Sequence, residues 1–263
     1  MSRLSFERYC AEIIAQTDLL ATSIKDADMS VPVPSCPGWN VGQLVRHLGG
    51  GQRWVETIAR TRATEPPSDT NFRDLSACAN EDPEALVPWL VECGAGLEEA
   101  LREIGPDAEV WTPLPGHRSR FFARRFAHET LVHRADAELA LGIEFTAATD
   151  VLLDAVDEWL ELLALPQMFE FHPGMRELLG PGRTLHFHAT DTPEEAGAEW
   201  VVDLTGELIQ WRSAHEKAAV AVRAPLADLL LVLYRRRPAR SAGVEVIGDA
   251  ELLDFWLERV GFG

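Results

Sequence analysis

The chain has 263 residues, of which 46% are hydrophobic and 25% charged, so it exceeds the usual single domain of about 100–150 residues and can bury sizeable cores. Its 42 acidic and 24 basic residues give a net charge of −18, a field that repels nucleic-acid backbones and anionic lipid surfaces. We therefore expect a globular protein with no nucleic-acid partner. The sequence shows no C-x-x-C pair, signal peptide or membrane span, which favours a reducing cytoplasmic location.

The first part of the chain has the apolar spacing and capping signals of α-helices. These signals predict four long helices, running from Phe6 to about Lys25, from Val41 towards Ile58, from Pro83 to about Ile104 and from Phe121 to Leu141. Asn40 is the expected N-cap of the second helix, and the polar, proline-containing segment 64–80 is expected to be a loop. A fifth helix, Ala147 to Leu165, is expected to act as a connector. Residues 1–165 are thus predicted to form a helical bundle.

After Pro166 the pattern changes to short β-branched or aromatic runs separated by turn signals. The runs LHFHAT, AEWVVDL, ELIQWRS and AAVAVRA predict an antiparallel meander. Two helices, Pro225 to about Arg235 and Asp249 to Val260, are predicted to flank a last strand from Val244 to Ile247. We therefore predict an α+β protein with a helical bundle at residues 1–165 and a small α/β domain at residues 166–263.

The segment A-H-E-T-L-V-H-R-A-D in the fourth predicted helix carries the strongest chemical signal. At about 100° per residue, Glu129 and His133 lie about 40° apart on one helical face, whereas His128 and His133 diverge by about 140°. Glu129 and His133 can therefore share a metal ion, and His128 cannot easily join them. The spacing differs from the H-E-x-x-H arrangement of metalloproteases, so a third ligand has to come from another helix.

His47 is the natural third ligand, because it shares a helical face with Leu44 and Leu48 that turns it into the bundle. Two nitrogen ligands and one carboxylate with an open fourth position are typical of catalytic zinc, and other divalent ions remain open. The alternatives are a satisfied core histidine and a surface pair in the fourth helix. Asp136, three residues after His133, either orients that imidazole or forms a surface salt bridge.

Two segments, S-C-P-G-W-N-V-G-Q-L-V-R-H-L-G and H-E-T-L-V-H-R-A-D-A-E, resemble the mycothiol-dependent maleylpyruvate isomerase family at the right separation. Three later segments, L-L-L-V-L-Y-R-R-R-P, V-E-V-I-G-D and L-L-D-F-W-L, are similar to the C-terminal part of that family. The resemblance implies a DinB-like four-helix bundle followed by a small α/β domain related to sterol-carrier-like folds. The sequence departs from the family pattern at Asn40, Gly42 and Arg235, where the family usually has Thr or Ser, Ala, and Gly.

The resemblance places the metal ligands of the family on His47, Glu129 and His133, and it implies mycothiol, or another low-molecular-weight thiol, as cosubstrate. A metal with an open position lowers the pKa of a bound thiol, so that a thiolate forms at neutral pH. The implied function is that of a metal-dependent enzyme in which this thiolate attacks an electrophilic carbon of a small organic substrate, as in cis–trans isomerisation of maleylpyruvate. Zinc is the expected metal.

Two basic runs, residues 118–125 and 235–240, stand out on an acidic chain as candidate anion sites, although solvated surface is the alternative for each. By its alignment with the family, Arg236 is the candidate catalytic cation for a substrate carboxylate, with Arg235 and Arg237 as alternatives. We expect the active site in the cleft where the loop of Arg236 meets the mouth of the bundle. Arg118 and Arg120 are candidates for binding the polar end of the thiol.

Two rival functions remain open at this stage. A thiol S-transferase or thiol-exchange enzyme of detoxification or secondary metabolism would use the same site on a different electrophile. A non-catalytic metal- or ligand-binding protein would bind without turnover. Fold alone decides neither the substrate nor the reaction, and the sequence leaves the physiological electrophile and the oligomeric state undetermined.

Overall fold

The structure is a computed structural model that describes residues 4–76, 78, 81–114, 116 and 118–261. It divides into two compact units, one formed by Leu4–Phe145 and one that contains Thr146 onward. Our predicted boundary at residues 165 and 166 lies one helix further along the chain than this division. Within the described part of the chain, no helix combines the length and the apolar character needed to cross a bilayer.

The first unit is helical, as the sequence predicts. Its helices are α1 (Phe6–Ile24), α2 (Val41–Thr61), α3 (Thr70–Arg73), α4 (Pro83–Ile104) and α5 (Ser119–Ala140). The four long helices agree with the predicted ones to within three residues at each end, and the short α3 lies in the segment that we predicted to be a loop. Helix α2 packs against α4 and also contacts α5, and α1 packs against both α4 and α5.

The ends of α2 and α4 show why the helices begin and end where they do. Asn40 forms a capping box with Gln43, in which each side chain binds the backbone N–H of the other, so the departure from Thr or Ser at this position keeps the cap. Asp82 caps α4 ahead of Pro83, and Gly105 ends it with a φ of 76°. The departure at Gly42, where the family usually has Ala, has a steric reason. A Cβ at this position would lie 3.0 Å from the Cβ of Glu81.

The second unit combines helices with one five-stranded sheet. In chain order it contains α6 (Thr149–Leu163), α7 (Met168–Phe171), β1 (Thr184–Ala189), β2 (Glu199–Asp203), β3 (Gln210–Ser213), β4 (Val220–Ala224), α8 (Leu226–Leu233), β5 (Glu245–Gly248) and α9 (Ala250–Arg259). Two 3-10 turns, Pro173–Leu178 and Glu194–Ala196, lie on either side of β1. The predicted α+β class is therefore correct for the described residues.

The predicted antiparallel meander is wrong at its fourth strand. The strand order is β3-β2-β1-β4-β5, and β4 pairs with β1 in parallel instead of following β3. The burial of side chains explains this order, since the parallel register sets Val220 beside Leu185 and Val222 beside Phe187, all fully buried. By contrast β3 is mostly exposed and stays at the edge of the sheet.

The helix α6, which we predicted as a connector of the bundle, is tied to the sheet of the second unit. The indole N–H of Trp200 in β2 donates a 2.7 Å hydrogen bond to Asp157 of α6, and both side chains are buried. In addition, the rings of Trp159 in α6 and Tyr234 stack with centroids 4.3 Å apart. A buried carboxylate needs such a donor, so this contact holds α6 against the strands.

Two helices end on an arginine in the left-handed backbone region. Arg62 after α2 has a φ of 48°, and Arg235 after α8 has a φ of 61°. In both cases the next residue, Ala63 or Arg236, donates its N–H to the carbonyl five residues back, which closes the helix in the manner of a glycine C-cap. At position 235 the family usually has glycine, the residue that adopts this left-handed conformation most easily. This chain has the same conformation with arginine in its place.

Candidate metal centre

The three predicted metal ligands lie together between α2 and α5. The imidazole rings of His47 in α2 and His133 in α5 meet edge to face, with centroids 5.4 Å apart. One turn before His133, Glu129 places its Oε2 atom 3.4 Å from His133 Nε2. The three residues therefore lie close together, as their helical faces predict, and their role as metal ligands stays a prediction.

Each of the two imidazoles has its Nδ1 atom held by an oxygen. His47 Nδ1 lies 2.7 Å from the backbone carbonyl oxygen of Phe72, and His133 Nδ1 lies 2.9 Å from Asp136 Oδ2. Asp136 is fully buried, and its other oxygen accepts a 2.6 Å hydrogen bond from the hydroxyl of Ser35. Asp136 thus orients the imidazole and does not form the surface salt bridge that was its alternative.

Charges around the cluster suit a cation. Burial, together with the neighbouring imidazole of His133, holds the pKa of His47 below its ordinary value, so this ring is neutral at pH 7. Burial opposes the charge of Glu129, but Arg125 and the two imidazoles outweigh it and keep the pKa of this carboxyl below its ordinary value. The guanidinium of Arg125 binds Glu129 Oε1 at 3.0 Å, one helical turn away.

This arrangement fits a divalent ion of the zinc type. Imidazoles that ligate zinc characteristically donate their second N–H to a carbonyl or carboxylate, which fixes the tautomer and leaves Nε2 as the ligand atom. His47 and His133 both meet this condition, and Glu129 supplies an ionised carboxylate beside them. His128 packs edge to face on Tyr9, as expected for a residue on another side of α5.

Cys36, His133 and Asp136 form a second set, whose donor atoms all lie within 4.8 Å of one another, a spacing that His47, Glu129 and His133 do not reach in this structure. Cys36 Sγ lies 3.7 Å from Asp136 Oδ2, the same oxygen that contacts Nδ1 of His133. The two sets therefore use opposite nitrogens of one imidazole. Because Asp136 already contacts Ser35 and His133, we expect a metal on the Nε2 side of His133, with Cys36 as a packed thiol.

Aromatic side chains line the approach to His47. The ring of Trp39 lies 4.8 Å and that of Phe72 lies 5.7 Å from the imidazole, measured between centroids. A groove of about 370 Å³ runs beside α2, and Phe72 and Trp54 are among its lining residues whereas His47 is not. Trp39 therefore contacts the candidate site through His47.

The structure places Arg118 and Arg120 at the start of α5, in exposed positions. Both bind the turn before the helix, Arg118 through the carbonyl of Asp107 at 2.6 Å and Arg120 through the carboxylate of the same residue. At 1.5 Å of rise per residue, they lie roughly 14–17 Å along the helix axis from Glu129. Their predicted contact with the thiol stays a prediction.

Arg236 lies in the second unit, directly after α8. Its guanidinium donates a 2.8 Å hydrogen bond to the carbonyl of Tyr234, and its backbone N–H closes the helix end. Of the two alternatives, Arg235 is exposed and Arg237 forms an ion pair with Asp228. The catalytic role that the family resemblance implies for Arg236 also stays a prediction.

Two contributors to the site were not identified from sequence. Arg125 lies four residues before Glu129, and this i, i+4 spacing was a usable signal for the ion pair. The carbonyl of Phe72 gave no signal, because any residue has a carbonyl and only the path of the chain through α3 brings this one to His47.

Comparisons with known proteins agree with the resemblance seen in the sequence. The profile of the mycothiol maleylpyruvate isomerase N-terminal domain matches residues 10–138, and that of the MDMPI C-terminal domain matches residues 150–255. The gap between the two matches contains the division between the two compact units. None of the curated proteins compared with this chain matches it.

Solved structures show the same fold. The crystal structure of the mycothiol-dependent maleylpyruvate isomerase is 16% identical in sequence, with a TM-score of 0.61 over 94% of this chain and 95% of that chain. A mutant of that isomerase gives a TM-score of 0.62 with the same identity and coverage. At this level of identity the likeness concerns the fold of the chain.

Proposed function

Because the chain belongs to the mycothiol-dependent maleylpyruvate isomerase family, we propose that it is a metal- and thiol-dependent enzyme that isomerises a small organic substrate. The observation that supports this proposal most directly is the cluster of His47, Glu129 and His133, whose imidazoles both have Nδ1 held by an oxygen. Such outer contacts are typical of histidines that bind zinc. The metal, its identity as zinc, and mycothiol as the thiol are parts of the proposal.

Each residue of the cluster has a separate task. His47 and His133 would hold the ion through Nε2, and Glu129, 3.4 Å from His133 Nε2, would add one negative charge that partly balances it. Asp136 keeps the imidazole of His133 in one tautomer, and Arg125 limits the movement of Glu129. When bound, the ion supplies Lewis acidity that keeps a small-molecule thiol deprotonated at neutral pH. Trp39 and Phe72 restrict water beside His47.

A thiolate that adds to a conjugated double bond turns it into a single bond, about which the substrate can rotate before the thiolate leaves again. The thiol is then regenerated and the substrate emerges as its trans isomer. If the adduct persists, the same site performs thiol S-transfer. The two outcomes differ only in whether the carbon–sulfur bond breaks again.

The test is an assay of the purified, metal-loaded protein with mycothiol and maleylpyruvate, in which the trans isomer is quantified by NMR. We expect turnover that requires the thiol and is lost in His47→Ala together with the bound metal. Cys36→Ser is the matched control, because Cys36 lies on the Nδ1 side of His133 and should leave the metal in place. Metal and turnover that persist in His47→Ala would disprove the assignment.

Mass spectrometry of the same reactions separates isomerase from transferase. A product with the mass of the substrate supports isomerisation, whereas a stable conjugate of substrate and thiol supports S-transfer. Absence of both products with any thiol and electrophile, despite bound metal, would favour a non-catalytic binding protein.

For Arg236, the proposed task is to bind a substrate carboxylate and the enolate charge that develops during addition. Arg236→Ala should then weaken substrate binding and slow turnover while the metal stays bound. Arg240→Ala is the matched control, since Arg240 is an exposed arginine of the same segment that pairs with Asp254. Unchanged kinetics in Arg236→Ala would remove Arg236 from the site.

For Arg118 and Arg120, the proposed task is to bind the polar end of the thiol. Alanine at both positions should raise the KM for mycothiol and leave the metal content as it is. Arg60→Ala is a suitable control, because Arg60 is likewise a surface arginine held by acidic neighbours, Glu56 and Glu99. An unaltered KM for the thiol would show that the two arginines only stabilise the start of α5.

A further inference from the structure

The sheet of the second unit carries another cluster of histidines. His186 and His188 are alternate residues of β1, so both lie on one face of the sheet, while Phe187 lies on the other face against Trp256 of α9. In the antiparallel register, His188 pairs directly with Glu199 of β2. His215, which follows β3, completes the cluster, so three of the eight histidines of the chain meet here.

The three imidazoles converge on a single carboxylate oxygen. Glu199 Oε2 lies 2.9 Å from His186 Nε2, 2.9 Å from His188 Nδ1 and 2.6 Å from His215 Nδ1. One donor atom from each of the four side chains lies within 4.8 Å of all the others. The ring centroids are 5.6 to 6.0 Å apart, so the rings surround a common point instead of stacking.

Hydrogen bonding alone does not account for this convergence. A carboxylate oxygen has two lone pairs, and three nitrogens approach this one. An imidazole that donates its N–H to Glu199 is either cationic or neutral with its other nitrogen unprotonated. Several cationic imidazoles at this spacing would repel one another. A metal ion at the common point removes the conflict, because every nitrogen and the oxygen then contribute a lone pair to it.

We propose that His186, His188, Glu199 and His215 form a second metal site that binds a divalent ion of the zinc type. Three imidazoles and one carboxylate make a complete tetrahedral donor set for zinc, without the open position of a catalytic site. The proposed site is therefore structural. It is independent of the bundle cluster and of the function proposed above.

Only small movements separate the present geometry from a bound one. Zinc–ligand bonds of about 2.0–2.2 Å set tetrahedral donor atoms roughly 3.3 Å apart, so each nitrogen would move less than about 1 Å away from Glu199 Oε2. Donor atoms that are now up to 4.8 Å apart would approach one another by up to about 1.5 Å. His215 can follow easily, because 77% of its side chain is exposed.

The neighbouring charges leave the position accessible to a cation. By the strand register, Arg223 of β4 and Arg212 of β3 share this face of the sheet. Each guanidinium is engaged with an acidic side chain, Arg223 with Glu245 at 3.3 Å and Arg212 with Glu216. Neither arginine competes for Glu199, whose contacts are with the three histidines.

The ion would connect three segments of the sheet. β1 supplies two ligands, β2 supplies one, and the chain that leaves the edge strand β3 supplies His215. Because β3 is at the edge of the sheet and mostly exposed, the bond to His215 would anchor its C-terminal end across β2 to β1. The site would thus secure the β3 edge of this sheet.

The experiment measures zinc per chain in untagged protein that has been stripped with a chelator, dialysed against micromolar zinc and analysed by elemental mass spectrometry. His188→Ala/His215→Ala removes the two more exposed histidines and should bind one zinc fewer per chain than the wild type. His172→Ala, a histidine of the same unit outside the cluster, should bind as many zinc ions as the wild type. Glu199→Gln keeps the shape of the carboxylate and should also weaken zinc binding. It therefore tests the site even if the double variant does not fold.

The second site can be tested with the bundle site disabled. In the His47→Ala background, one zinc per chain should remain, and it should be lost when His188→Ala/His215→Ala is added. Zinc content that is equal in the wild type and in folded His188→Ala/His215→Ala would overturn the second site. Failure of the bundle site shows instead as zinc content unaffected by His47→Ala, so the two failures are distinguishable.

Discussion

The two histidine clusters of this protein differ in what their imidazoles face. In the bundle, each Nδ1 contacts an oxygen outside the cluster, Phe72 or Asp136, and leaves Nε2 for the interior. In the sheet, all three histidines face the carboxylate of Glu199 and are held by one another. The bundle cluster therefore has three candidate donors with oxygen partners outside it, whereas the sheet cluster has four candidate donors that contact one another.

This difference separates a site suited to chemistry from a site suited to stability. An incomplete donor set leaves a coordination position for a substrate, and outer contacts keep the ligands from collapsing on the ion. A complete donor set offers no such position, and its ion would mainly connect strands.

The same substitution at the two carboxylates should give the largest contrast. Glu129→Gln removes the charge from the bundle cluster, so we expect turnover to fall by more than about 100-fold, since losing an outer partner alone costs about 10–100-fold. Glu199→Gln should lower zinc binding by the second unit and leave the metal of the bundle in place. Steady-state kinetics and metal content of both variants check this, and equal losses of activity in the two would contradict the contrast.

Zinc should stabilise the second unit even when the bundle site is disabled. In His47→Ala, zinc at about 100 times its dissociation constant should raise the free energy of unfolding by about 2.7 kcal/mol, as mass action requires. Thermal unfolding followed by tryptophan fluorescence is suitable, because Trp200 and Trp256 are fully buried in this unit. The increase should vanish when His188→Ala/His215→Ala is added, and an increase that persists would place the zinc elsewhere.

Removing the outer support should weaken the bundle site without removing a ligand. Asp136→Asn keeps the size of the side chain but no longer presents a carboxylate to His133, so the affinity for the metal should fall about 10- to 100-fold. Ser35→Ala serves as the control, because it removes only the hydrogen bond to the other oxygen of Asp136. Competition with a chromogenic chelator measures both affinities, and an unchanged affinity in Asp136→Asn would argue that His133 needs no orienting partner.

The smallest expected effect compares the two helix ends that carry a left-handed arginine. A left-handed conformation costs an L-residue about 1–2 kcal/mol, so replacing the arginine by glycine removes this cost. Part of the gain is lost again, because glycine has more conformational freedom in the unfolded chain. Arg62→Gly and Arg235→Gly should therefore each raise the free energy of unfolding by up to about 1 kcal/mol. Chemical denaturation measures both, and a loss of stability in Arg235→Gly alone would indicate that its side chain makes an essential contact.

The helices of the bundle were predictable because their signals are local. Asp82 and Pro83 mark the start of α4 and Gly105 its end, all within the segment that forms the helix. The meeting of His47 with His133 was also predictable, since the helical faces of α2 and α5 already turn both residues inward. The spacing of Glu129 and His133 on one helix needed only the angle per residue.

The sheet shows what local signals leave undetermined. The runs that form β1 and β4 were recognised, but their parallel pairing depends on which buried faces match, as for Phe187 beside Val222. The second histidine cluster depends on the same register, because Glu199 reaches His188 only through the pairing of β1 with β2. The spacing of His186 and His188 in a strand was a usable signal for half of that cluster.

The hydrogen bond between His47 and the carbonyl of Phe72 joins the chemistry of the bundle to the segment between α2 and α4. If α3, which carries Phe72, unfolded locally, His47 would lose the acceptor that fixes its tautomer, and this form would bind a metal less tightly. By linkage, a bound metal would favour the folded form of α3 by the same free energy. Backbone amides of α3 should thus exchange with deuterium more slowly in the metal-loaded protein than in the metal-free protein.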